Sequence, residues 1–184
     1  MPKDTRTRMI EATVEALRQQ GVAGMSFTEV LRSSGAARGA IYHHFPSGKA
    51  QLVAEAATRN GHDVRAHLAE LRGDSPSAVV EAFLAAVRPV ALASACGSGC
   101  AVAAVTVGAD DTLREVAAAA FAAWVDQLAE RLTASGLPPD EATDLAATLV
   151  TLLEGAQVLC RAAGSIEPFD RAARTATRLA RTWR

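Results

Sequence analysis

A chain of 184 residues and 19.1 kDa holds one or two small domains, not a multi-domain assembly. Its 49% hydrophobic content suffices for a sizeable core and argues against disorder, while a net charge of −1 gives no overall sign of a polyanionic partner. Aromatics are only 4% and alanine fills 41 of 184 positions, which suits close-packed helices rather than sheets; no uninterrupted apolar run reaches the roughly 18–20 residues needed to span a bilayer.

The opening segment, MPKDTRTRMIEATVEALRQQG, carries charges throughout and has no signal-peptide core. After the polar start Asp4-Thr5, Ile10, Val14 and Leu17 recur at helical spacing, and Gly21 is a natural stop; this predicts a helix over about residues 5–20. Ser26-Phe27-Thr28-Glu29 reads as a capping box, in which Ser26 bonds a free backbone N–H and Glu29 reaches back. A short second helix follows, with Phe27, Val30 and Leu31 inward, and Gly35 ends it. A tight turn leads to a third short helical segment over 38–45, broken by Pro46-Ser47-Gly48.

A long helix is expected from near Lys49, with Leu52, Val53, Ala56, Ala57, Val64, Leu68 and Leu71 on one side, up to Arg72-Gly73-Asp74-Ser75. Pro76 suits the first turn of the next helix, which carries Val79, Val80, Phe83, Leu84 and Val87, and Pro89 should kink or end it. Cys96-Gly97-Ser98-Gly99-Cys100 is a loop, and the run 101–107 fits strand or helix by period, its surroundings favouring helix. Asp110-Asp111-Thr112 caps a helix bearing Leu113, Val116, Phe121, Trp124, Leu128 and Leu132. Pro138-Pro139-Asp140 opens another with Leu145, Leu149, Leu152 and Leu153, and a last helix spans about 168–183, ending at Trp183. The expectation is an all-α chain of about nine helices.

The charge is uneven. Residues 1–60 hold eight Lys/Arg and five Asp/Glu, a balance of +3, while the remainder balances at −4. A basic head on an acidic body fits a small DNA reader with a separate partner domain. Within the head, two short helices joined by a glycine-containing turn form a helix-turn-helix, whose second helix enters the DNA major groove. Ile41 and Phe45, four apart, can pack on the preceding helices, which leaves Arg38, Tyr42 and His43 pointing elsewhere. Gly39 permits close backbone approach. His43 and His44 project about 100° apart, so they do not chelate one metal together; His44 can serve packing, capping or base reading.

The run Ser26-Phe27-Thr28-Glu29-Val30, then Ser34-Gly35, then Arg38 to Pro46 with its Tyr-His-His-Phe-Pro element, then Lys49 and Leu52, resembles the DNA-binding head of TetR-family transcriptional regulators. The likeness covers roughly residues 1–55, and the following segment is consistent with that family's helical ligand-binding and dimerisation domain. The extra residue in Pro46-Ser47-Gly48-Lys49, and Gly99-Cys100-Ala101-Val102-Ala103, are similar to the LmrA/YxaF-like branch. The resemblance implies a helix-turn-helix domain over 1–48 and a ligand-binding and dimerisation domain over 49–184. Its function would be that of a repressor released from a palindromic operator by a small hydrophobic inducer. Ser26 and Thr28 would meet phosphate, Arg38 would read a base, and Gly39 would lie against the DNA backbone. Tyr42 and His43 would bond phosphates or base edges, and Lys49 would meet a phosphate. Phe121, Trp124 and Leu128 would face the ligand; plain core is the alternative for that stripe. Two departures stand out: Ala37 replaces a frequent Ser or Thr cap, and Leu31 replaces a small residue.

Three cysteines are too few for a disulfide framework and suit a reducing, cytoplasmic setting. Cys96 and Cys100 admit a second function, a thiol-based redox-sensing repressor, although free cysteine packs equally well as a small apolar residue. We find no Gly-rich phosphate loop, H-E-x-x-H, nucleophile elbow or paired carboxylates, so no enzyme, metal or cofactor is expected. The expected partners are double-stranded operator DNA, an inducer and a second copy of the chain, with no membrane. The alanine-rich helices over 140–163 and 168–183 have apolar faces left over for that second copy.

Overall fold

The computed structural model describes residues 4–107 and 111–182. Among them are nine helices and no strand: α1 (Thr5–Gly24), α2 (Phe27–Ser34), α3 (Ala40–His44), α4 (Gly48–Ala69), α5 (Pro76–Ala95), α6 (Ala101–Ala104), α7 (Asp111–Ala134), α8 (Pro139–Ala163) and α9 (Glu167–Ala180). The all-α expectation holds. Asp110 and Trp183, expected to cap α7 and to end the last helix, lie outside the described residues. The chain divides into two compact units, Met1–His62 with Cys100–Ala120, and Asp63–Gly99 with Phe121–Arg184.

In the first unit, α1 starts where the Asp4 carboxylate accepts the Thr7 backbone N–H at 2.8 Å. Gly21 adopts φ 68° and ψ −177°, so the regular helix breaks there and a further turn runs to Gly24. The Ser26 hydroxyl accepts the Glu29 N–H at 3.2 Å and starts α2. Glu29 does not complete a capping box in the expected way: its carboxylate takes the Gln20 amide at 3.1 Å and faces Arg32 at 3.6 Å. Gly35, at φ 65°, ends α2 in the left-handed region. α1 packs on α2 and α6, and Met9, Leu17, Val30, Ile41, Phe45 and Leu52 are buried. α4 and α7 cross so closely at Gly61 that a Cβ there would lie 2.9 Å from the Ala120 Cβ. The 101–107 run is the short α6 followed by a turn.

In the second unit, Ser75 caps α5 by accepting the Ala78 N–H at 3.3 Å, with Pro76 in the first turn. Gly73 is required just before it, because a Cβ would lie 2.6 Å from the Val79 nitrogen. α5 does not end at Pro89 but runs on to Ala95. Pro89 and Ala85, the residue whose carbonyl loses its partner, are both exposed, so the interruption falls on the solvent side of the helix. α5, α8 and α9 pack on one another, with Val80, Phe83, Ala91, Leu149, Cys160 and Phe169 buried. Arg88–Asp170 and Arg181–Glu81, each at 3.4 Å, tie α5 to α9. α5 and α8 are long and apolar enough, by length and composition, to cross a membrane. Both carry charges, Glu81 and Arg88 on α5 and Asp144, Glu154 and Arg161 on α8, and both bury an apolar face in this bundle.

Candidate nucleic-acid interface

The sequence pattern that pins α3 is visible in its packing. Ile41 and Phe45 are 2% and 0% exposed, whereas Tyr42 between them is 69% exposed. His43 is exposed and His44 half-buried; the His44 ring meets the Phe45 ring edge-on at 6.4 Å. Arg38 and Gly39 are exposed too, but they lie in the turn before α3 rather than in it. The expected helix over 38–45 therefore starts two residues late. Gly39 holds the cap position without a side-chain cap bond, and Ala37 has no hydroxyl to supply one. Among the described residues, no hydrogen bond or ion pair occupies the Arg38 guanidinium or the Tyr42 hydroxyl. A guanidinium and a phenol standing free beside two buried anchors can reach an external polar surface. A Cβ at Gly39 would meet nothing within 4 Å, so the backbone there is open to a close approach.

Ser26 and Thr28 are exposed at the start of α2, where unsatisfied backbone N–H groups favour anions. The Ser26 hydroxyl is engaged as the helix cap. Lys49 is half-buried, and its ammonium donates to the Met25 carbonyl at 2.8 Å. Two further basic side chains of the head are taken up by contacts within it, which net charge alone does not reveal. Arg6 pairs with Glu55 and stacks over the Phe45 ring at 5.2 Å, and Arg8 Nε donates to the Ser34 carbonyl at 2.9 Å. Arg32, passed over in the sequence, exposes 76% of its side chain on α2.

The second unit holds the other expected site residues. Trp124 and Leu128 are buried, and Phe121 is half-buried with its ring edge-on to Trp124 at 5.0 Å. None of the three lines the open groove of about 980 Å3 between α8 and α9, whose wall includes Leu145, Leu149, Leu152, Leu159, Pro168 and Leu179. A buried polar pair escaped the sequence reading: the Ser94 hydroxyl donates to Gln157 Oε1 at 3.5 Å, joining α5 to α8. Cys96 is exposed, Cys160 is buried, and the Cys100 sulfur accepts the Ala103 N–H at 3.3 Å as the cap of α6. Among the described residues, no group of three or more His, Cys, Asp or Glu is placed to hold a metal ion.

Comparison with known proteins bears on both regions. Residues 9–56 match the family model described as bacterial regulatory proteins, tetR family, and residues 76–175 match that of the LmrA/YxaF-like transcriptional regulator C-terminal domain. The HTH-type transcriptional regulator Rv0196 of Mycobacterium tuberculosis is 36% identical over 173 residues, covering 90% of this chain and 88% of that one. LmrA of Bacillus subtilis, also an HTH-type transcriptional regulator, is 26% identical over 178 residues, covering 90% and 91%. The crystal structure of a TetR transcriptional regulator from Legionella pneumophila superposes with a TM-score of 0.85 at 17% identity, covering 97% and 98%.

Proposed function

The chain belongs to the TetR family of DNA-binding transcriptional regulators, with an LmrA/YxaF-like C-terminal domain, and on that premise we propose that it is a homodimeric repressor released from a palindromic operator by a small hydrophobic ligand. The DNA-binding domain takes residues 1–48, and the ligand and dimer functions take 49–184. The observation that carries the reading is the exposed Arg38 and Tyr42, whose polar groups no described residue engages, beside the buried anchors Ile41 and Phe45.

In this reading α3 enters the major groove, and Arg38 bonds guanine O6 and N7 together. Tyr42 and His43 bond phosphates or base edges, Gly39 lies against the backbone, and Ser26 and Thr28 meet phosphate at the start of α2. Two heads read half-sites one helical turn apart, at about 34–36 Å. The α8–α9 face supplies the dimer contact. Val158, Leu159 and Leu179 are 67%, 59% and 55% exposed there, and Thr151 and Gly155 are small residues that permit close helix approach. The inducer contacts Phe121, Trp124 and Leu128. It weakens DNA binding only through its different affinity for two states of the dimer, a coupling typically of about 1–3 kcal/mol.

The test is binding of the purified protein to a palindromic duplex from upstream of its own gene as salt is raised. A steep fall in affinity with salt is expected, and absent or salt-insensitive binding overturns the reading. A second reading, a thiol-based redox-sensing repressor, draws on the exposure of Cys96. Thiol titration with and without peroxide, run beside DNA binding, decides it: peroxide that consumes the Cys96 and Cys100 thiols while leaving operator affinity unchanged removes it.

A further inference from the structure

We infer that Arg131 is an anion handle, and that the ligand of this chain is an apolar carboxylic acid whose carboxylate pairs with that guanidinium. The inference rests on the ligand-release reading above and gives that ligand a chemical class. Trp124 and Leu128 lie on the inward stripe of α7 and are 2% and 0% exposed. Arg131 follows them by seven and three residues, which places it within about 60° of both around the helix. A cation therefore stands in line with core residues. Its Nε is buried and, among the described residues, meets no hydrogen-bond partner. Among those residues the guanidinium also forms no ion pair. Arg131 as a whole is half-buried, so part of it stays within reach from outside.

A guanidinium keeps its charge throughout the pH range of a folded protein, so Arg131 cannot lower the cost of burial by losing a proton. The helix dipole favours a cation in the last turn of α7 but supplies no acceptor to Nε. Glu130 is adjacent in sequence but projects about 100° away, and its carboxylate takes the Gln127 amide at 2.8 Å. Elsewhere in this unit Arg88 and Arg181 face Asp170 and Glu81. A buried N–H without a partner carries its full desolvation penalty, and the planar fork of a guanidinium is matched by the two oxygens of a carboxylate. An acceptor from outside supplies what the fold does not. Trp124 lies about 10 Å from Arg131 along the helix axis, and half-buried Phe121 meets the Trp124 ring edge-on at 5.0 Å. An acid with a flat apolar body of that length meets the aromatic pair at one end and the guanidinium at the other.

The probe is biphenyl-4-carboxylate, and its control is biphenyl-4-methanol, the same body without the charge. Both are titrated into the full-length wild-type protein in the absence of DNA. The carboxylate should bind about ten- to a hundredfold more tightly than the alcohol, the effect of one hydrogen-bonded charge. Equal affinity, or no binding of either, overturns the inference. Arg131→Met keeps an apolar stem and removes the donors, and it should bring the carboxylate down to the affinity of the alcohol. A preference for the carboxylate that survives this change overturns the inference. Without ligand, the melting temperature of Arg131→Met should hold or rise, because an unpaired buried charge has been removed. A fall means that Arg131 has a partner inside the fold, and it too overturns the inference. Operator binding with the carboxylate present tests the release reading separately. Carboxylate that binds through Arg131 and leaves operator affinity unchanged keeps the anion handle and defeats release by a ligand held there.

Discussion

Ile41 and Tyr42 are neighbours in sequence and do opposite work. Ile41 is 2% exposed, and truncating its side chain would leave a cavity in the buried core of the head that cannot fully collapse. Ile41→Ala should destabilise the fold by about 2–5 kcal/mol in thermal or denaturant unfolding, and lose DNA binding only through that instability. Among the described residues Arg38 has no hydrogen bond or ion pair to lose, so Arg38→Ala should leave the melting curve in place. It should cost about 1–3 kcal/mol of operator affinity and relax the preference at one base pair, read from binding across operator variants. A lowered melting temperature with base preference intact would make Arg38 a structural residue. The chemistry of this strip was legible because apolar and polar residues alternate within one short segment. The partner of Lys49 was not, because Met25 lies 24 residues away and only the folded head brings the two together.

Helix ends and helix crossings set the next level. Asp4 opens α1, and the Thr7 backbone N–H, with help from the Thr7 hydroxyl, holds its carboxyl below the ordinary value of 3.8. A carboxylate favoured in the folded state adds stability that is fully present above that ordinary value. The contribution fades as pH falls through the lower folded-state value. The unfolding curves of wild type and Asp4→Ala should therefore differ at neutral pH and converge below about pH 3.8, with wild type the more stable where they differ. Divergence that persists in strong acid would remove the charge from the explanation. At the α4–α7 crossing, Gly61→Ala sets two effects against each other. Helix propensity gains about 1 kcal/mol, while a Cβ placed 2.9 Å from the Ala120 Cβ forces two stiff helices apart at about 1–3 kcal/mol. Net destabilisation is expected, and Ala120→Gly in the same chain should relieve it. The Ser26 cap could be read from the sequence because the capping side chain and the helix start are adjacent. The passage of α5 through Pro89 could not, since it depends on which side of the helix the fold leaves open to solvent.

At the scale of the whole molecule, a repressor of a two-fold operator depends on how two copies are joined. The α8 and α9 helices bury one face against α5 and leave Val158, Leu159 and Leu179 largely exposed beside the apolar groove. Apolar residues gathered on one face need a cover, and in a homodimer the cover is the same face of a second copy. The alanine and leucine spacing of α8 made its apolar character legible, but not the division of that character between core and surface, because one stripe serves each. Linking two heads makes the second half-site contact intramolecular, and such linkage raises overall affinity by roughly 10²–10⁴ over one head alone. Val158→Glu combined with Leu179→Arg places charges on exposed positions and leaves the α5–α8 core untouched. The double variant should keep its helical content while its mass in solution falls from twice 19.1 kDa to 19.1 kDa. Operator affinity should fall toward that for an isolated half-site, within the same roughly 10²–10⁴ range, while binding to a half-site duplex should be unchanged. A variant that remains dimeric would move the interface off α8 and α9. A monomer that still binds the full operator with wild-type affinity would mean that the two heads never acted as a pair.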